Sequence, residues 1–579
     1  MRKACGESEM TLTIQAVQYL TDDDGLRNIS RKVSSHPNAL APVNRLPVEL
    51  LARILDDVNT WGKCSFFDPG PILVLTHVCR LWRQVAIGCA TFWNRIDLDL
   101  SPQLVETFLR RSSCAPLAFR FNVDQPNLGS KLYYLRGKGA RIQTLHVWCQ
   151  HPPEWPLDEN ALRFPFHLPQ IEYLAIDLGP SSPRTKEFAE RMLQGVDNPR
   201  LRTLVLNVES LQFNIASLPT TPSPCLTHLC LTVPHDITDM VDVMTRLLRL
   251  IAGAPMLQHL NLAFSDLSFR TPEERLLPTP TLNYLRSITL SSCSFEQAFY
   301  FLEHLTLPSD ILLCINDSWT KVDVSAHPEQ LNIPPLSLFQ NLTFMEIALS
   351  MDYMNWTANN AQFTSGFLFS AEGPDAGWTG WVERSHAALP FSHIQVLHLY
   401  LDDAFAISRL GSHILPQFVH LKELFLLSVH FEDPDDDLTL TLLEEVLPVL
   451  TRTDPTVCPE LRVLGFRMDV YYESFPFSNL VAMAAARFHA GRPLSRFVYQ
   501  LHKRVFDDEE SHRSFADELS ALSAFVDSVE YLHSPDEENI CPFTMREGWN
   551  TPDGTSLYWS LVRDIEREPR YGMACNADC

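Results

Sequence analysis

The sequence predicts a mixed α/β chain, in which a small three-helix module near the N-terminus precedes a long, irregular solenoid shaped as an arc or horseshoe. Three observations carry that expectation. Two amphipathic helical stretches lie between residues 44 and 97, and one short apolar pattern recurs over residues 98–505. The composition, 45% hydrophobic and 20% charged over 579 residues, is that of a folded chain with a large interior.

The helical module begins after a polar leader, residues 1–43, that holds Asp22-Asp23-Asp24 and little periodicity. In NRLPVELLARILDDV, Asn44 can cap a helix and Pro47 pre-sets φ for its first turn. Leu50, Leu51, Ile54, Leu55 and Val58 then recur at helical spacing. NTWGKCSFFDPGP breaks the helix with Gly and Pro. A second helical stretch, bent along its length, runs from Ile72 to about Cys89 with Leu75, Val78, Cys79, Trp82, Val85 and Ala86 on one side. FWNRIDLDL alternates as a strand does.

Beyond it the chain repeats itself. IQTLHVW from Ile142, IEYLAID from Ile171, LRTLVLN from Leu201, LTHLCLT from Leu226 and LQHLNLA from Leu257 share an apolar-x-x-apolar-x-apolar template. LRSITLS from Leu285, LTFMEIA from Leu342, IQVLHLY from Ile394, LKELFLL from Leu421 and LRVLGFR from Leu461 follow it. Neighbours in the best-kept stretch lie about 25 to 31 residues apart, the period and pattern of leucine-rich-repeat solenoids. Each unit supplies one strand whose leucines are buried only when units stack. The gaps after Leu285 and Leu342 are near twice the period, and ILLCIND at Ile311 fills the first. Residues 351–390, rich in Trp, Gly and Ala, read as an insert that interrupts the array. Residues 506–579 read as an acidic tail, helical through ADELSALSAFVDSVEYL, that caps the open end.

A formal charge of −24 disfavours nucleic acid and anionic membranes as partners. The 14 cysteines form no CxxC pair, so neither a zinc ribbon nor a redox dithiol is expected. MRKACGESEM has no apolar core, and no run of 18 apolar residues occurs; a cytoplasmic or nuclear protein follows. GxxxxGK[ST], GxGxxG after a strand, HExxH and GxSxG are absent, so no enzyme, metal or cofactor is expected. Cys149-Gln150-His151 lacks the geometry of nucleophilic catalysis. Glu432-Asp433-Pro434-Asp435-Asp436-Asp437 lacks the staggered ligands and Gly of a calcium loop.

Residues 44–97 resemble the F-box. The resemblance rests on Leu46, Pro47, Glu49, Leu50 and Ile54, then Val78, Cys79, Arg80, Trp82, Arg83, Val85 and Ala86, and finally Trp93. With SSCAPLAFRF and AAARFHAGRPLSRF behind it, the chain looks like F-box proteins with a leucine-rich-repeat-like region, of the type expanded in mushroom-forming basidiomycete fungi. The resemblance implies the substrate-recognition subunit of a cullin–RING (SCF) ubiquitin ligase. Its F-box would dock the Skp-type adaptor and its repeats would bind a protein substrate. A scaffold acting without ubiquitination is the alternative. Leu46, Pro47, Leu50 and Leu51 are expected on the docking face, with Ile54, Val78, Trp82 and Val85 partly in the core. On the concave sheet face, residues between the leucines point outward. Trp148, Tyr173, His228, His259, His398, Tyr400 and Phe425 are the expected substrate contacts.

Overall fold

The computed structural model describes residues 41–60, 67, 69–123, 128–149, 167–178, 183–194, 199–208, 223–233, 240–264, 278–293, 295–318, 336–350, 353–362, 364–372, 389, 391–402, 414–427, 438–452, 456–468, 477–501, 517 and 519–531. The chain is mixed α/β: a helical N-terminal region and a large sheet of seventeen strands among the described residues. It divides into two compact units, Met1–Trp148 and Cys149–Cys579.

In the first unit a 3-10 turn, Pro42–Arg45, leads into α1, Val48–Thr60. Asn44 does not cap α1. It sits in the 3-10 turn, and its Oδ1 accepts from the Trp82 indole at 2.9 Å. Pro47 stands at the helix start instead, its carbonyl accepting from Leu51 N–H. The expected second helix is two, α2 (Gly70–Val78) and α3 (Arg80–Gly88). They break at Cys79, whose backbone is extended and whose Sγ caps α3 by accepting from Trp82 N–H at 3.5 Å. A thiol is a weak cap, but it satisfies one of the donors that a helix start leaves open.

A 3-10 turn then delivers Trp93, fully buried, with its indole donating to the Ala86 carbonyl at 2.7 Å. Strand β1 (Arg95–Asp97) pairs in parallel with β2 (Leu117–Asn122), and β2 with β3 (Ile142–Cys149). Between them α4 (Pro102–Arg111) packs Phe108 edge-on against Trp93 at 4.9 Å, and Arg111 covers that indole at 4.2 Å. Helix α5 (Leu128–Leu135) buries Lys131, which pairs with Asp99 and donates to the Asn122 carbonyl. A buried ammonium is tolerable only when so partnered.

The second unit places one strand on each recurrent apolar segment. β4 (Tyr173–Leu178), β5 (Thr203–Val208), β6 (His228–Val233), β7 (His259–Phe264), β8 (Ser287–Ser291) and β9 (Leu312–Ser318) pair in parallel, in chain order. Leu174, Leu204, Leu229, Leu260, Ile288 and Leu313 stand in register and are buried. The register is fixed at the strand entries, where one carbonyl accepts from two successive N–H groups of the next strand. Arg202, Thr227 and Gln258 do this in β5–β8; Thr343, Gln395, Lys422 and Arg462 repeat it further on. On the leucine side lie α6 (Pro183–Gln194), α7 (Met240–Ala252) and α8 (Phe295–Glu303), which bury residues three and four apart such as Met244, Leu247, Leu248 and Ile251.

The segment read as an insert, residues 351–390, belongs in part to the sheet. Strands β10 (Phe344–Ser350), β11 (Tyr353–Asn359) and β12 (Gly366–Glu372) pair antiparallel in that succession. β12 joins β9 in parallel, and β10 joins β13 (Val396–Asp402) in parallel. The array therefore continues through residues 353–372, with β11 alone reversed. Alternation in MNWTAN explains the strand: Trp356 and Ala358 enter the leucine layer, while Asn355 and Asn359 face away. Asn360 Oδ1 fastens the turn by accepting from Thr364 N–H at 2.9 Å. Gly366 is required after it, since a Cβ there would stand 2.2 Å from the Ala358 carbonyl.

β14 (Glu423–Leu427), β15 (Val463–Met468), β16 (Leu494–Leu501) and β17 (Val526–Tyr531) continue in parallel. Helices α9 (Leu438–Thr451) and α10 (Phe477–His489) return the chain between them. Buried Arg487 of α10 donates to the carbonyls of Val457, Cys458 and Leu461, holding the loop where Cys458 takes φ 47°. Part of the expected helical tail is strand β17; FVDSVEY carries a two-residue alternation that the helical reading overlooked. Residues 519–522, ahead of it in the same stretch, are helical, and 523–525 turn into β17; residues 506–516, 518 and 532–579 lie outside the described residues, as do Glu432–Asp437 and His151.

Candidate docking faces

Helix α1 has too many apolar residues for one face. Leu51 and Leu55 are fully buried against the module, with Ile72, Leu75, Val85 and Ala86 as the other core residues. Leu50, Ile54 and Val58, also four apart, form a second stripe that is exposed. Val48 on α1, Val74 and Val78 on α2, and Ile87 on α3 are exposed too, all seven by 39–64%. Pro47 is exposed and Leu46 half-buried beside them. A soluble helix ordinarily hides such residues.

Three expected roles change here. Leu51, expected on the docking face, belongs to the core, because it lies one residue, about 100°, round the helix from Leu50. Ile54 and Val78, expected partly in the core, are exposed. Trp82, expected partly in the core, is half-buried and tied to Asn44, and Trp93 is fully buried. Val85 is core as expected.

In the first unit Trp148 lies on β3 with the Arg120 guanidinium 4.9 Å over its ring, and its Nε1 is buried without a hydrogen-bond partner among the described residues. His146, two residues earlier, is covered by Phe67 of the α1–α2 loop at 6.3 Å. Burial, with the Arg120 charge adding to it, drives its pKa down to about 3.

In the second unit the sheet brings together Tyr173, Thr203, His228, His259 and Ser287 as one row on the face opposite the leucines. Tyr173 packs on a patch of Ala175, Val205 and Cys230, and burial raises its phenol above the usual range. The His228 and His259 rings stack at 4.6 Å. His259 Nδ1 meets Ser287 Oγ at 2.7 Å, and His228 Nδ1 meets Thr227 Oγ1 at 2.9 Å. Burial lowers both histidines; His259 falls to about 4, helped by His228 and Arg286. Asp177, Asn207 and Thr232 form a hydrogen-bonded ladder in a further row.

His398 and Phe425 stand in a different row, in register with Glu346 and Gly465. His398 is flanked edge-on by Phe344 and Phe425, each at 4.9 Å, and its Nδ1 lies 3.4 Å from Glu346 Oε1. Phe425 lies over Gly465, where a Cβ would meet its ring at 2.3 Å. Tyr400 follows His398 on β13; its side chain is outside the described set. Glu346, Asn355 and Asn359, which share this face, escaped sequence reading: the two asparagines lie in the presumed insert, and Glu346 is a lone polar residue within the LTFMEIA copy.

Among the described residues no helix is long and apolar enough to cross a membrane, and no cluster of His, Cys, Asp and Glu could hold a metal. Burial pushes the thiols of Cys230, Cys314 and Cys458 up to about 12, which keeps them protonated and unreactive.

Residues 43–99 match the F-box-like family model, whose span coincides with α1–α3, Trp93 and β1. A search of curated proteins finds none that matches the chain.

Proposed function

We propose that the chain is the substrate-recognition subunit of a cullin–RING ubiquitin ligase, with its F-box docked on a Skp-type adaptor. One observation carries this reading. The module that matches the F-box family turns a second apolar stripe, Leu50, Ile54 and Val58, with Val74 and Val78, to solvent. F-box modules generally bind such adaptors, and an exposed apolar surface of this kind is energetically favourable to cover.

The strand array supports the second half of the reading. It is a leucine-rich-repeat-like solenoid whose face opposite the leucines carries Tyr173, His228, His259, His398 and Phe425, with Tyr400 on the same strand as His398. In the first unit, Trp148 lies on the face of β3 away from Leu145 and Val147 and is a candidate contact of that unit. Such a receptor performs no bond chemistry. It raises the local concentration of substrate lysines at a charged ubiquitin-conjugating enzyme.

The test is co-purification of the full chain with adaptor and cullin–RING components, followed by ubiquitylation of captured proteins. Recovery of the assembled complex and modification of captured proteins are expected. Adaptor binding without any ubiquitylation would leave the scaffold alternative standing instead.

A further inference from the structure

We draw no further inference here: the strongest candidate, the half-exposed row of Tyr173, His228, His259 and Ser287 on the face of β4–β8 opposite the leucines, belongs to the sheet face already described, and nothing in the structure shows what covers it.

Discussion

Two tryptophans in one short stretch have opposite fates. Trp93 is fully buried, donates to the Ala86 carbonyl, and is gripped by Phe108 and Arg111. Trp93→Ala is expected to cost about 3–5 kcal/mol, the range for emptying a large aromatic site, and to lower the melting temperature of the chain. Trp82→Phe removes only the bond to Asn44 and is expected to cost about 1 kcal/mol. A near-equal effect of the two in thermal denaturation would contradict this assignment. Both residues are legible by type, but the helical spacing runs one bent helix from Ile72 to Cys89, whereas the chain breaks at Cys79. At the same scale, His259 and His146 are held neutral, with pKa values of about 4 and about 3. Because these folded values lie below the unfolded one near 6.5, the unfolded chain binds protons first as pH falls. Stability is full above about pH 6.5 and declines as pH drops towards those folded values. His259→Gln is expected to flatten part of that decline in melting temperature between pH 7 and pH 5, and an unaltered slope would contradict it.

Among the elements, α1 and the β11–β12 hairpin show what periodicity can and cannot reveal. The run of Leu50, Leu51, Ile54, Leu55 and Val58 is legible as a helix, but its apolar arc is too wide to say which half turns inward. Packing decides: the 51/55 stripe is buried where α1 meets α2 and α3, and the 50/54/58 stripe is left over. The hairpin is missed for a different reason. Its strands carry Trp, Asn and Phe rather than Leu-x-x-Leu-x-Leu, so a repeat template passes over them although their two-residue alternation is clear. Gly366→Ala tests the hairpin, since the added Cβ collides with backbone. Faster amide hydrogen exchange across residues 353–372, with exchange in β4–β6 unchanged, is the expected result.

For the molecule as a whole, the repeat pattern gives the parallel strands and their order well, because each buried leucine is specified by its stacked neighbours. The outward face is less legible. There, identity is set by lateral register between strands far apart in sequence, as with Glu346, His398 and Phe425. The two units carry different surfaces: an exposed apolar face in the first, and a sheet face with histidines, aromatics and orphan acceptors in the second.

The most direct measurement is a calorimetric titration of the full chain with a Skp-type adaptor, set against the Leu50→Ala/Ile54→Ala double variant. Both side chains are exposed, so the variant is expected to melt as wild type does. Tight binding by wild type is expected, with a loss of about tenfold or more in the variant, as for truncated anchors of an interface. No binding by wild type, or equal binding by a folded variant, would contradict it.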